Sequence, residues 1–133
     1  MIKPAKINVR YSDLDVMGHV NNSVYLTYFE MARVHYFGES LGRDWDWKRD
    51  GIILVKNEVE YLLPIMLHDN PEITVSTAHI GTKSFTLDYK VMVADKLCST
   101  GSSTLVAFDS LINSSVLIPE SMRKMLELLK KEQ

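Results

Sequence analysis

The most informative stretch of the chain is Arg10-Tyr11-Ser12-Asp13-Leu14-Asp15-Val16-Met17-Gly18-His19-Val20-Asn21-Asn22. It places two carboxylates two positions apart at the start of a glycine-containing loop, directly before a long apolar segment. Asparagine is a favourable helix N-cap, so Asn21 and Asn22 predict a helix that begins immediately afterwards. The first N–H groups of a helix attract anions and polarise carbonyl oxygens. An aspartate held beside them is therefore a candidate acid–base or nucleophilic group.

The same stretch resembles the opening motif of the 4-hydroxybenzoyl-CoA thioesterase family. The resemblance rests on Tyr11-Ser12-Asp13-Leu14-Asp15, on Gly18-His19-Val20-Asn21-Asn22 and on Tyr25. It continues through Glu58, Tyr61 and Pro64, then Gly81-Thr82-Lys83-Ser84-Phe85, and it ends near Pro119, so it covers most of the chain. It implies an α+β hotdog fold, in which an antiparallel sheet wraps around a long central helix, with a further helix at the C-terminus. It also implies hydrolysis of an acyl-CoA thioester to the free acid and CoA.

The resemblance assigns expected roles to particular residues. Asp15, the second aspartate of the motif, is implied as the catalytic residue, either a general base or a nucleophile. The remaining implied residues are Gly18, His19, Asn22 and Ser23 for the loop and the helix N–H groups that polarise the carbonyl, and Tyr25, Glu58, Thr82, Lys83 and Ser84 for substrate binding. From the loop alone, a turn or capping role explains Asp15 better than catalysis, and the family resemblance reverses this preference. Lys83 is a candidate phosphate contact, and its alternative is an ordinary solvated lysine.

The composition predicts one folded domain over residues 1–133. Hydrophobic residues make up 46% of the 133, which is too many for a disordered chain. Lys and Arg number 15 against 17 Asp and Glu, a net charge of −2, which argues against a general nucleic-acid or membrane-surface binder. A single cysteine, Cys98, excludes an internal disulfide. We see no signal peptide and no membrane-spanning run, so we expect a cytoplasmic protein without membrane insertion.

Hydrophobic periodicity predicts one long helix followed by several strands. We predict the helix over about 23–37, ended by Gly38, and because it is apolar nearly all round we expect it to be buried. Alternating residues predict a half-buried first strand at 6–11. Later strands are expected at 52–66, 72–80, 84–94 and 97–108, with turns at 81–83 and 95–96 and a final helix from Pro119 to about Lys131. Consecutive strands linked by short turns favour an antiparallel α+β domain whose sheet surrounds the helix.

Such a sheet leaves one face uncovered, so we expect a homodimer or homotetramer.

Other chemistries fit the sequence poorly. The Asp13 loop lacks the bidentate Glu of a calcium site, because its twelfth position is Val24. The histidines show no metal-ligand spacing and no Gly-x-Ser-x-Gly elbow occurs, so we expect no metal and no cofactor. The alternatives left open are a non-catalytic acyl-CoA sensor, an acyl-carrier-protein thioesterase and a hotdog dehydratase. The acyl group is also open.

Overall fold

The computed structural model describes residues 1–130. Within this range two α-helices and six β-strands follow one another, with a short 3-10 turn at Tyr11–Asp13. Their bounds are β1 Ala5–Lys6, α1 Val24–Leu41, β2 Gly51–Tyr61, β3 Glu72–Ile80, β4 Ser84–Val93, β5 Lys96–Asp109, β6 Ser114–Ser115 and α2 Glu120–Leu128. No helix in this range is both long and apolar enough to span a membrane.

The strands form one sheet in the order β1-β3-β4-β5-β2, and β6 pairs with β5. Strand β2 therefore lies beside β5. Residues 62–71 connect β2 to β3 without forming a hairpin. The expectation that all the strands are joined by short turns is wrong for this connection. It holds for β3-β4-β5, because Gly81-Thr82-Lys83 links β3 to β4 as predicted. The next turn is Ala94-Asp95, both at positive φ, one residue earlier than expected.

The first strand is shorter than its alternating pattern predicts. Only Ala5 and Lys6 form ladder pairs, with Ile73 and Glu72 of β3. Ile7 still donates its N–H to the Pro71 carbonyl at 2.9 Å. Pro71 has no N–H to donate in return, and β3 begins only at Glu72, so the ladder stops and the chain turns at Tyr11–Asp13. Strand β2 likewise ends at Tyr61, ahead of Pro64, instead of continuing to Met66.

Helix α1 extends past its expected end. Gly38 lies inside the helix, and Gly42, with φ of 81°, follows the last helical residue. The Gly42 N–H donates to the Gly38 carbonyl at 3.1 Å, so the left-handed residue that ends the helix is the second glycine. The helix is also not buried all round in the single chain. Its outward side exposes Leu26, Met31 and Val34, by 37%, 43% and 65%.

The described chain divides into two compact units. The first comprises Met1–Tyr36, Val59–Val75 and Tyr89–Gly101. In its core Phe29 stacks on Tyr89 at 4.3 Å between ring centroids, and the Tyr89 hydroxyl accepts a 3.0 Å hydrogen bond from Arg33. Tyr89 and Val91 of β4 are buried in this unit.

The second unit comprises Phe37–Glu58, Ser76–Asp88 and Ser102–Gln133. Helix α2 belongs to it and begins at Glu120, after Pro119, and ends at Leu128; the expected end at Lys131 lies outside the described residues. Three apolar residues of α2 are buried: Met122, Met125 and Leu126.

Candidate active site

The Asp15 carboxylate is held by its own loop. Oδ1 accepts hydrogen bonds from the N–H of Met17 at 2.9 Å and of His19 at 3.2 Å. The Asp15 backbone completes the loop, because its N–H donates to the His19 carbonyl at 2.7 Å and its carbonyl accepts from Gly18 at 3.0 Å. Gly18 has a φ of 77°, a left-handed conformation that favours glycine, although a Cβ would meet nothing within 4 Å. Oδ2 accepts no hydrogen bond within residues 1–130, so it is the oxygen that can act on a ligand.

Asp13 faces the interior and anchors the loop. Its side chain is almost fully buried, and its oxygens accept hydrogen bonds from the Arg10 N–H at 3.0 Å, the Arg10 guanidinium at 3.1 Å and the Tyr28 hydroxyl at 2.8 Å. Burial alone would raise the pKa of this carboxyl, but the hydrogen bonds from Arg10 and Tyr28 together outweigh it, so the pKa is lowered. Asp13 is therefore a charged structural residue that fixes the base of the loop.

Asn21 caps helix α1. Its Oδ1 accepts the Ser23 N–H at 3.0 Å and the Ser23 hydroxyl at 2.9 Å, and its backbone carbonyl accepts the Val24 N–H at 2.9 Å. The Ser23 N–H is thus already used by the cap. The Asn22 N–H has no acceptor in the described part of the chain. Of the two amides expected to polarise a carbonyl, Asn22 is therefore the one left open to a ligand.

A pocket of about 210 Å³ joins these groups within the first unit. Its walls combine the Asp15 loop, the start of α1 and the segment that follows β2. The lining residues are Asp15, His19, Val20, Asn22, Tyr25, Tyr61, Leu62, Leu63 and Pro64. Four of the expected site residues thus lie around one pocket, whereas Gly18 and Ser23 shape its loop and helix without lining it. Within the described residues, the arrangement offers one carboxylate oxygen and one amide without a partner, beside walls that mix polar and apolar side chains.

Two tyrosines form the aromatic side of the pocket. The rings of Tyr25 and Tyr61 meet edge to face, with centroids 4.9 Å apart and planes at 87°. Tyr25 is buried, and burial above all, with smaller effects from Cys98 and Tyr61, raises the pKa of its phenol to about 12. The Tyr61 hydroxyl donates to the Asn22 carbonyl at 2.9 Å. Tyr61 was quoted in the family resemblance but given no role, because its partner lies 39 residues away in sequence.

The remaining expected residues belong to the second unit. Glu58 forms a 2.8 Å ion pair with Lys56, and both side chains are more than 60% exposed, as in an ordinary solvated pair. The backbone carbonyls of Thr82, Lys83 and Ser84 accept hydrogen bonds from Ile118, Ala107 and Gly81. Lys83 lines a wide pocket of about 570 Å³ with Arg49, Asp50, Asp109, Val116, Leu117 and Pro119.

In the described chain, Cys98 is not placed as a nucleophile and no metal site is formed. Cys98 is 3% exposed, and burial raises the pKa of its thiol, which disfavours the thiolate that a nucleophile needs. Within residues 1–130 no three His, Cys, Asp or Glu side chains are grouped so that they could hold a metal ion.

A model of the thioesterase-like superfamily matches residues 9–126. The chain belongs to this superfamily. It is 31% identical over 102 residues to YsmA of Bacillus subtilis, an uncharacterized protein, and this match covers 76% of the chain and 69% of YsmA. The hotdog fold expected from the sequence is confirmed by the fold of its structural relatives.

Two solved structures are similar over nearly their whole length. A thioesterase from Thermus thermophilus, in complex with coenzyme A and zinc, is 31% identical with a TM-score of 0.84 and covers 98% of this chain and 96% of its own. A putative thioesterase from Pseudomonas aeruginosa is 30% identical with a TM-score of 0.83 and covers 92% and 96%. Because the chain belongs to this superfamily, thioester chemistry is the general expectation for it.

Proposed function

We propose that the protein is an acyl-CoA thioesterase that hydrolyses an acyl-CoA thioester to the free acid and CoA. The observation that carries the proposal is that one pocket is lined by both Asp15 and Asn22, whose Oδ2 and N–H have no hydrogen-bond partner within residues 1–130. Thioester hydrolysis needs a group that delivers or activates the nucleophile and a donor for the carbonyl oxygen. The relative from Thermus thermophilus in complex with coenzyme A supports CoA as the carrier.

In this proposal the thioester carbonyl points at the start of α1. The Asn22 N–H, assisted by the helix dipole, stabilises the negative charge that develops on the carbonyl oxygen. One well-placed donor of this kind contributes roughly 3 kcal/mol to transition-state stabilisation. Ser23 contributes through its hydroxyl and N–H bonds to Asn21, which hold the first turn in place.

Asp15 acts on the carbonyl carbon by one of two routes. As a general base, Oδ2 removes a proton from water while the water oxygen bonds to the carbonyl carbon. As a nucleophile, Oδ2 bonds to that carbon, and water then cleaves the resulting anhydride. In both routes the carbon–sulfur bond breaks and CoA leaves as a thiolate that takes up a proton. A thiolate is a good leaving group, so no strong acid is needed beside it.

Substrate-binding roles are proposed for the remaining expected site residues. Tyr25, with His19 and the apolar wall residues, lines the pocket for the acyl group next to the thioester. Lys83, beside a wide pocket that also holds Arg49, is proposed to contact a CoA phosphate, with Thr82 and Ser84 shaping its turn. Glu58 is assigned a weaker role, since Lys56 already neutralises it.

The protein is also proposed to be a homo-oligomer, a dimer or a tetramer. The support is an exposed apolar run on β2, where Ile53, Leu54 and Val55 are 42%, 41% and 57% exposed. Strand β2 is at the edge of the sheet, so its outer backbone groups are open to a further strand. A second copy that covers this run would bury apolar surface and complete the ladder.

A non-catalytic acyl-CoA sensor is the second candidate, and one observation favours it. Oδ1 of Asp15 already accepts two loop N–H groups, which is a sufficient structural reason for an aspartate at this position. Turnover separates the two candidates, because a sensor binds the thioester without releasing a thiol.

The test is a panel of aromatic, short-chain and long-chain acyl-CoA thioesters, together with acyl-carrier-protein thioesters, assayed by detection of the free thiol. We expect at least one CoA thioester to be hydrolysed at a rate that depends on Asp15. Tight binding of a CoA thioester without release of thiol contradicts the enzyme and favours the sensor. If carrier-protein thioesters are hydrolysed preferentially, CoA is wrong as the proposed carrier and acyl-carrier protein takes its place. The proposed thioester hydrolysis itself is then retained.

A further inference from the structure

Tyr61 connects the end of β2 to the start of α1. It is the last residue of the strand, and its hydroxyl donates at 2.9 Å to the carbonyl of Asn22. Its ring is fixed against Tyr25, with the two rings edge to face at 87°. Both tyrosines line the pocket that also holds Asp15. The hydroxyl therefore contacts the residue whose N–H is open to a ligand.

The Asn22 backbone is held by hydrogen bonds to the peptide groups on either side of it, and the bond from Tyr61 is one of them. The peptide group before Asn22 is held because the Val24 N–H donates to the Asn21 carbonyl at 2.9 Å. The peptide group after it has a weaker helical bond, since the Tyr25 N–H lies 3.4 Å from the Asn22 carbonyl. The shorter bond to that carbonyl comes from Tyr61. The bond from Val24 holds the peptide group that carries the Asn22 N–H, and the bond from Tyr61 holds the next peptide group, so together they restrict tilting of the first turn.

We propose that Tyr61 is a positioning residue that orients the Asn22 N–H toward the carbonyl oxygen of the substrate. This inference rests on the proposed thioesterase function and adds to it a residue that acts through another. Electrostatic stabilisation in an active site depends on donors that are already aimed before charge develops. A first helical turn that can tilt loses part of this advantage, and the loss appears in the transition state rather than in ground-state binding.

The exposure of Tyr61 makes the inference testable without unfolding the protein. Its side chain is 45% exposed, so loss of its hydroxyl leaves no buried group without a partner on the tyrosine side. Tyr61→Phe keeps the ring and its contact with Tyr25 and removes only the bond to Asn22. A matched control is Tyr36→Phe, which removes the hydroxyl of a 4% exposed tyrosine that bonds to the Val75 backbone, away from the pocket.

The first experiment compares kcat, KM and thermal unfolding of the two variants on the best thioester of the panel. We expect Tyr61→Phe to lower kcat about tenfold, with KM within a factor of two and little change in melting temperature. Tyr36→Phe is expected to lower the melting temperature at least as much while kcat stays near that of the wild type. A purely structural role for Tyr61 would instead give a loss of stability without a selective loss of kcat.

The second experiment measures binding to two CoA thioethers that are not hydrolysed. One carries a trifluoroacetonyl group, whose hydrated carbonyl is tetrahedral and places an oxygen where that of the tetrahedral intermediate would lie, and the other carries a propyl group with no carbonyl. Tyr61→Phe is expected to weaken binding of the first by about the same factor as kcat and to leave binding of the second unchanged. Equal affinities of wild type and variant for the trifluoroacetonyl compound overturn the positioning role.

The two proposals fail in different ways. A wild-type protein that hydrolyses no thioester of the panel overturns the enzyme and with it the role of Tyr61. A wild-type protein that turns over, loses activity in Asp15→Asn and keeps full kcat in Tyr61→Phe retains the enzyme and overturns only the positioning role.

Discussion

The Tyr28 hydroxyl donates a 2.8 Å hydrogen bond to Asp13 Oδ2, and both residues are 2% exposed. This bond joins α1 to the turn that precedes the Asp15 loop. It separates the two aspartates of the motif by environment, since Asp13 is enclosed by Arg10 and Tyr28 whereas Asp15 reaches a pocket. The pair thus divides into one carboxylate that holds the loop and one that can meet a substrate.

Tyr28→Phe is expected to destabilise the protein by about 1–3 kcal/mol, because a buried carboxylate loses one of its donors. Urea unfolding at neutral pH measures this loss. The same substitution in an Asp13→Asn background is expected to cost less, since the charge-assisted part of the bond is already absent. Equal costs in the two backgrounds would contradict a direct link between Tyr28 and Asp13.

This bond also predicts the response of stability to acid. The pKa of Asp13 is lowered in the folded chain, so at low pH the unfolded chain binds more protons than the folded one. The contribution of Asp13 is therefore complete above the unfolded pKa of about 3.9 and is lost as pH falls through the lower folded value. In Tyr28→Phe the loss of unfolding free energy between roughly pH 5 and pH 2 is expected to be smaller than in the wild type.

The two glycines near the end of α1 predict opposite effects of alanine. Gly38 lies within the helix, where a Cβ would meet nothing within 4 Å, so Gly38→Ala is expected to stabilise the protein by about 0.5–1 kcal/mol. Gly42 has a φ of 81°, so Gly42→Ala is expected to destabilise it by about 1 kcal/mol. Chemical unfolding of both variants checks the prediction, and a destabilising Gly38→Ala would place the end of the helix at Gly38 after all.

Lys83→Ala is expected to raise KM for the CoA thioester roughly two- to fivefold with little change in kcat. A phosphate contact remote from the thioester supplies uniform binding, and an exposed charge pair contributes only modestly. The effect should decrease at high salt. Lys124→Ala, which removes an exposed lysine from α2, is the charge-matched control. An unchanged KM for Lys83→Ala at low salt would remove this residue from the CoA site.

Light scattering at micromolar concentration is expected to show a dimer or a tetramer. Val55→Lys, on the exposed run of β2, should shift the mass toward the monomer, because it places a charge where apolar surface would be buried. Leu128→Lys changes a residue that is 86% exposed on α2 and serves as the control. A wild-type protein that is monomeric and fully active would contradict the proposed oligomer.

Features that are local in sequence were predictable. The loop that holds Asp15 and the cap that begins α1 both depend on residues within a few positions, such as Asn21 and Ser23. These signals are local because hydrogen bonds in turns and caps connect near neighbours.

Features that depend on distant partners were not predictable in the same way. The first strand ends at Lys6 because its partner β3 begins after Pro71, which no pattern in 6–11 can reveal. Gly38 is tolerated inside α1, so the expected stop occurs four residues later at Gly42. The bond from Tyr61 to Asn22 spans 39 residues and depends on the tertiary fold. Sequence reasoning assigned Tyr61 no role because its partner, Asn22, is brought to it only by the tertiary fold.

The central claim is that the Asp15 carboxylate performs the chemistry. Asn at this position keeps an oxygen that can accept the N–H groups of Met17 and His19, so the loop is expected to persist. It lacks the charge of a base or nucleophile. Asp13→Asn is the matched comparison, because it alters the buried aspartate that holds the loop.

The decisive measurement is kcat of Asp15→Asn on the best acyl-CoA substrate, with melting curves to show that the variant is folded. We predict a loss of about a hundredfold or more with an unchanged fold, and a smaller loss of kcat for Asp13→Asn despite its lower stability. A folded Asp15→Asn protein with near-wild-type turnover would contradict the account.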